Sequence, residues 1–502
     1  MQNRIQERLL LATLLLGTTV ACGAGNAASP RDIQVETLLA ALRGTEPESL
    51  ARAACAAADL GAGGLAAADR IIPALEPLLG DDRRVAAVNL CQRGFGRFRL
   101  NGRDASAWLQ VTSPALEAAE ALAALAPRSY SVVARAMAAT SPVSRAHAAY
   151  ALGEIGDPRG GAVLKTALRD DSSQVRSRAA EALGKLEEEG AGADLVALLG
   201  DAKPAVRKAA IEALGELEWH AAESAVVQRL ADSDAAVRAA AADTLSSIGG
   251  VAAASALEKA LSDSDAEVRA EAMDSLDDLG GPGVGAAAAR ALADDDSRVR
   301  LEAIEALGSH GTGKEIPALG RTLEDADWKV REAAAEALGN LGDARGRAPL
   351  VGALDDPSWH VRVAAVEALG ELQNSGDVPA IVTALGDAHR DVRTGALEAL
   401  AKIGDAQAIP AVAKVLGDPD WHLRQSAAET LGELEATAAI APLTAALEDP
   451  HWKVREAAVE ALSNLEDPVA VPALRKLLRD PRPEVREAAT EAVADLLQKD
   501  EE

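Results

Sequence analysis

Histidine, cysteine and tryptophan are the residues in this chain with the most chemistry to offer. The imidazoles are His147, His220, His310, His360, His389, His422 and His451, and imidazoles serve as proton carriers or metal ligands. His360 and His422 are separated by two full periods of the repeat set out below, as are His389 and His451. Helices pack roughly 8–10 Å apart, so each pair is separated by roughly 20 Å. A metal–nitrogen bond is about 2 Å, and one ion cannot bridge either pair. His389 and His422 come from adjacent units and are nearer, but the pair lacks further obvious ligands. The three cysteines, Cys22, Cys55 and Cys91, have no zinc-site spacing. No phosphate-binding glycine loop and no nucleophile constellation can be recognised, so no metal, cofactor or catalytic residue is expected. Tryptophan is different. It opens three near-copies, DPSWHVRVAAVEALGEL from Asp356, DPDWHLRQSAAETLGEL from Asp418 and DPHWKVREAAVEALSNL from Asp449. Tryptophan is a frequent anchor of protein interfaces.

The copies belong to a longer periodicity. Arg recurs at 145, 176, 207, 238, 269, 300, 331, 362, 393, 424, 455 and 486, a constant 31-residue interval. A Leu stands eight positions before each Arg from Leu168 to Leu478, and an Asp six before, from Asp170 to Asp480. Each unit reads as two helices. In the unit of Arg424, Ile409, Val412 and Leu416 form one apolar stripe, with Pro410 near the helix start. Asp418 and Pro419 fit an N-cap and first position of the second helix. That helix turns Leu423, Ala427, Ala428, Leu431 and Leu434 inward. Aromatics are only 2% of the chain while apolar residues are 48%, so Ala and Leu must build a core of closely packed helices. No unit buries its stripe alone, and neighbours must share it.

These units resemble the HEAT-like repeats named after phycobilisome lyases, and the designed helical-repeat proteins built on that pattern. The resemblance covers about residues 139–497. It implies an all-α, right-handed α-solenoid, with the Asp and Arg six apart forming a ladder between units. It also implies a face where designed relatives vary their residues to bind partners. Two related enzymes test the alternative. Phycobilin lyases attach chromophores, a remote possibility here by fold analogy alone. Deoxyhypusine hydroxylase holds iron through His-Glu pairs, and none of the seven His here is followed by Glu. The chain is therefore expected not to be an enzyme.

Helical spacing defines which face is available. Counting from the repeat Arg, positions −1, +3, +4 and +7 are apolar, while −3, −2, +1 and +5 share the other side. Position −3 holds Trp328, Trp359, Trp421 and Trp452, with Arg390 in place of a fifth Trp. Position −2 holds Lys329, His360, His422 and Lys453. Position +5 is acidic in eleven of twelve units, including Glu336, Glu367, Glu398, Glu429 and Glu460; the first unit has Tyr150. Two parallel rows are expected, tryptophans with Lys/His and then carboxylates. One reading makes them a surface for a protein partner with a basic segment. The other folds each Trp over its own turn to shield the Asp–Arg pair.

The remaining signals concern location and ends. Arg4 and Arg8 precede an uncharged run from Leu9 to Ala21, too short for a mature membrane span. Thr19-Val-Ala-Cys22 resembles a bacterial lipobox, although Thr stands where Leu is usual. Residues 1–21 are thus expected to be a signal peptide, Cys22 a lipidation site and 22–31 a flexible tether. The alternative is an ordinary secretory peptide cut after Ala21. Either way the chain is exported, facing the periplasm on a lipid anchor or secreted. Cys55 and Cys91 then form a disulfide or stay as two buried thiols. Residues 32–143 read as irregular helical pairs capping the regular array of 144–502, with a hairpin near 98–108 around Asn101-Gly102. Six Arg and no acid lie between Arg83 and Arg103. The net charge of −27, from 51 basic and 78 acidic residues, disfavours nucleic acid and anionic lipid. Together these features describe a protein-interaction scaffold of the bacterial cell envelope, with a ligand-free structural or sensory spacer as the second reading.

Overall fold

The protein is described by a computed structural model covering residues 30–61, 65–86 and 111–499. It falls into two compact units, Met1–Ala256 and Leu257–Glu502. Both are built from helices. In the first unit, the helices Pro47–Gly61, Leu65–Leu75 and Pro114–Ala124 precede the regular pairs that begin with Pro142–Ile155. A two-residue antiparallel pair joins Val85 to Thr112 and Ala86 to Val111. It is a small departure from the all-α expectation. The hairpin expected near 98–108 and the Arg-rich segment after Arg84 lie outside the described residues, as do Cys22, Cys91 and the leader. Cys55 is buried in Pro47–Gly61 and is disulfide-bonded.

Within the second unit the repeat is clearest around Arg424. A short turn of 3-10 helix, Ala406–Ala408, leads into the first helix, Ile409–Val415, with Pro410 at its start. Proline is harmless there because that N–H has no intrahelical partner. The second helix is Trp421–Glu433, whose Leu423, Ala427, Ala428 and Leu431 are fully buried. Its N-cap corrects the expectation. Asp420, not Asp418, caps the helix by accepting from the His422 backbone N–H at 3.0 Å. Asp418 instead accepts from the Asp420 N–H at 2.8 Å. Pro419 therefore sits in the turn, two positions before helix position N1. A carboxylate already holding the turn cannot also reach the helix end.

Two details set the close stacking. Gly370, in Trp359–Glu371, faces Ala399 of the following helix Arg390–Ile403; a Cβ there would be 2.9 Å from both the Cα and the Cβ of Ala399. Gly339 meets Ala368, and Gly432 meets Ala461, in the same way. The turn after the second helix needs a left-handed residue. Glu435 has φ 47° and Gln373 φ 47°, where Gly342 and Gly404 do the same without a side chain.

The Asp–Arg ladder is present in both units, with a division of labour the spacing did not show. The Arg donates Nη1 to the backbone carbonyl six positions before it, an Asp from Asp170 onward, as Arg362 does to Asp356 at 2.8 Å. Its Nε and Nη2 pair with the corresponding carboxylate of the next repeat: Arg362 reaches Asp387 at 2.7 and 2.8 Å. Arg145–Asp170, Arg176–Asp201, Arg269–Asp294, Arg331–Asp356, Arg424–Asp449 and Arg455–Asp480 repeat this fork. Bidentate charged pairs of this kind fix register as well as energy. One rung is open. Arg393 and Asp418 are 3.9 Å apart, and Arg393 Nε has no hydrogen-bond partner.

Candidate functional site

The first turn of each second helix decides where the tryptophans stand. Asp327 caps Trp328–Asn340 and Asp420 caps Trp421–Glu433, which makes Trp328 and Trp421 the first residues of their helices. From that position a side chain leans out over the turn. All four rings at Trp328, Trp359, Trp421 and Trp452 are half-buried. They are neither bare nor fully buried.

What covers them is a set of rings and cations, largely from the next repeat. Trp328 stacks on His360 at 4.4 Å between centroids. Trp359 stacks on His360 at 3.6 Å and on His389 at 3.9 Å. Trp421 stacks on His422 at 3.7 Å and on His451 at 3.6 Å. Trp452 has the Arg482 guanidinium 4.5 Å from its centroid and the Lys453 ammonium at 5.8 Å. The Lys453 ammonium is also 5.7 Å from Trp421, and that of Lys329 is 6.0 Å from Trp328. These are the contacts expected of an electron-rich indole face.

His389, His451 and Arg482 are additions to the face that helical spacing defines. They stand at position −4, just before the helix, and the signal for them is the same 31-residue register. Stacking also gives the histidines a place unrelated to metal binding. His389 and His451 keep Nδ1 buried with no hydrogen-bond partner, and burial pushes the His451 imidazole below its usual pKa. Among the described residues no group of three or more His, Cys, Asp or Glu is arranged to hold a metal ion.

The carboxylate row stands beside the rings. Glu336, Glu367, Glu398, Glu429 and Glu460 are exposed, one per successive second helix. In the first unit two of the corresponding groups are paired internally: Glu181 with Arg178 at 2.7 Å and Glu212 with Lys208 at 3.2 Å. The five glutamates from Glu336 to Glu460 form no salt bridge among the described residues. Only Glu429 has a side-chain partner, accepting from Gln425 at 2.8 Å. Partial burial, then neighbouring carboxylates, raise the Glu336 and Glu367 carboxyls above their ordinary value. Such a row is short of positive charge.

Paired helices in 31-residue register, a shared Leu/Ala core and an Asp–Arg ladder define a helical-repeat protein. Its family follows from the sequence. The HEAT repeat family matches in overlapping segments from 113–184 to 409–494, and the chain belongs to the HEAT repeat proteins. None of the curated proteins matches it. Among solved structures, Kap95p in complex with RanGDP aligns over 98% of this chain and 66% of its own, at 15% identity and TM-score 0.50. An engineered protein aligns over 73% of this chain and 98% of its own, at 24% identity and TM-score 0.36. The CpcE–CpcF phycocyanin lyase of Nostoc sp. PCC7120 aligns over 43% and 96%, at 23% identity and TM-score 0.29. At 15% identity the likeness to Kap95p is one of fold alone.

Proposed function

We propose that the chain is a non-enzymatic protein-interaction scaffold. Its second unit binds a partner with a basic segment along the tryptophan and carboxylate rows. The observation that carries this reading is the difference between the two units. The +5 carboxylates are paired internally at Glu181 and Glu212 but left without salt bridges from Glu336 to Glu460. Solubility alone gives no reason for that difference. The half-covered indoles add a rigid, partly apolar border, and a spacer with no ligand has no use for such rows in register. The acidic face would speed encounter with Lys- or Arg-rich segments.

We further propose that the scaffold works in the bacterial cell envelope, tethered through lipid on Cys22. Under this reading Cys91 is the partner of Cys55. The support is the run Leu9–Ala21, the Thr19-Val-Ala-Cys22 sequence and the bonded state of Cys55. Among the described residues no helix is long and apolar enough to cross a membrane.

The test of the binding reading is affinity capture from membranes. It compares the wild type with a variant carrying Ala at Trp328, Trp359, Trp421 and Trp452, and with one carrying Gln at the five glutamates. Partners seen with the wild type should be lost in both folded variants. Capture of the same set by all three proteins would refute the face. Labelled palmitate should enter the wild type and not Cys22→Ser; no incorporation in wild type would refute the lipid anchor.

A further inference from the structure

The tryptophan row is interrupted once, and the interruption is built by several independent features. At Arg390 the repeat has an arginine where its neighbours have Trp359 and Trp421. The helices Arg390–Ile403 and Trp421–Glu433 pack least closely of the consecutive long helices in the second unit. The ladder rung between them, Arg393 to Asp418, is stretched to 3.9 Å against 2.7 Å for Arg362–Asp387 and Arg424–Asp449.

A glycine lies beside it, on the side of the preceding helix Trp359–Glu371. Gly395 occupies position +2, which is glycine in no other unit. Unlike Gly370, it is not required by packing. A Cβ there would meet only Val366 Cγ1 at 3.8 Å and Glu367 Cγ at 3.9 Å, ordinary contact distances. Glycine inside a helix costs about 1 kcal/mol relative to alanine, so Gly395 keeps space open at the expense of stability.

The space is an open cavity of about 540 Å³, within the range of ligand sites. Its lining includes Glu367 and Glu398 on the carboxylate side, Gly395, and Trp421 with His422 on the aromatic side. The cations that also line it are already engaged. Arg390 is 3.5 Å from Asp391, and Lys453 lies over the rings of Trp421 and Trp452. Lys402, which acts on Glu367 from a distance, bonds Glu371. Glu367, Asp391 and Glu398 therefore outnumber Arg390 and Lys453 around the cavity, and neither Glu367 nor Glu398 forms a salt bridge among the described residues.

We infer that this cavity is the seat for one arginine or lysine side chain of the partner's basic segment. The guest cation is held between Glu367 and Glu398, with its stem against Trp421. The inference rests on the reading of the second unit as a partner-binding face and picks out its specificity-determining point. Either basic side chain fits the volume, and arginine makes the better match to two carboxylates and an indole.

The test uses the full chain and a fluorescein-labelled decapeptide of alternating arginine and serine, followed by fluorescence anisotropy. Wild type should bind it, more weakly as salt rises, and should not bind the glutamate–serine counterpart. Gly395→Leu fills the cavity without changing charge and should weaken binding at least tenfold. The double substitution Glu367→Gln with Glu398→Gln should do the same. The charge-matched pair Glu336→Gln with Glu460→Gln, in the same row but outside the cavity, should weaken it by a clearly smaller factor. Should Gly395→Leu fail to fold, the exposed double-Gln variant decides alone. Binding that survives cavity filling, or that falls equally in both double-Gln variants, overturns the cavity while leaving the broader face standing. No peptide binding by wild type also overturns it; the face reading would then depend on capture lost in the four-Trp variant.

Discussion

Trp359→Ala separates a ring held by its neighbours from a ring that merely faces solvent. Trp359 is stacked on both His360 and His389, whereas Trp328 is stacked on His360 only. Aromatic pairs contribute about 0.5–1.5 kcal/mol each beyond area burial. Two contacts predict a loss of about 1–3 kcal/mol for Trp359→Ala, and one predicts about half that for Trp328→Ala. A solvent-facing Trp would change stability by no more than about 0.5 kcal/mol. Repeat arrays need not unfold in one step, so urea denaturation should be combined with hydrogen exchange. Faster exchange is expected in the helices Trp359–Glu371 and Arg390–Ile403, which the stack links. A cost below about 0.5 kcal/mol would show that the ring stack contributes nothing, and one no greater than for Trp328→Ala would show that the second stack adds nothing; either result refutes the geometry argued from it.

Four further outcomes follow from the same structure. Asp387→Ala removes the carboxylate that takes the Arg362 fork and the His389 backbone N–H at 2.7 Å. It should cost about 2–4 kcal/mol by denaturation, since it leaves a largely buried guanidinium alone; Glu371→Gln, at an exposed pair with Lys402, should cost less than about 0.5 kcal/mol. Gly370→Ala should destabilise by about 1–3 kcal/mol because its Cβ meets Ala399, while Gly395→Ala should stabilise by up to about 1 kcal/mol; melting temperatures moving the same way in both would contradict this. Asp170, Asp294 and Asp387 are held below the ordinary carboxylate value chiefly by their Arg partners. Their folded pKa values being depressed, they contribute stability above the unfolded value of about 4, and it is lost as pH falls through the folded values; thermal melts between pH 6 and pH 3 should show that loss, blunted in Asp387→Ala. Reduction should lower the melting temperature of the wild type through the Cys55 disulfide, and Cys55→Ser should remove that response.

The spacing of Arg and Asp makes the repeat, the ladder and the inner face legible, because identical local geometry forces identical residue types once per repeat. It also places the Trp and Glu rows on one face, since that follows from helical periodicity. The helix start is less legible, and the spacing sets its cap two positions early. Asp418 and Asp420 are both competent caps, and only the turn geometry assigns one to each task. The partners of the tryptophans are hidden for a similar reason. His389, His451 and Arg482 lie just before their helices, outside the positions that helical spacing aligns.

Sequence by itself therefore determined the architecture: a period, a shared Ala/Leu core and a regular set of charges. Tertiary structure decided how those charges are used. Arg–Asp forks from one repeat to the next, indoles clasped by the following unit, and five glutamates left without salt bridges are relations between neighbouring helices. The gap at Arg390 and Gly395 is of the same kind. Two substitutions are visible in the chain as letters, but the space they leave exists only once the helices on either side have been packed.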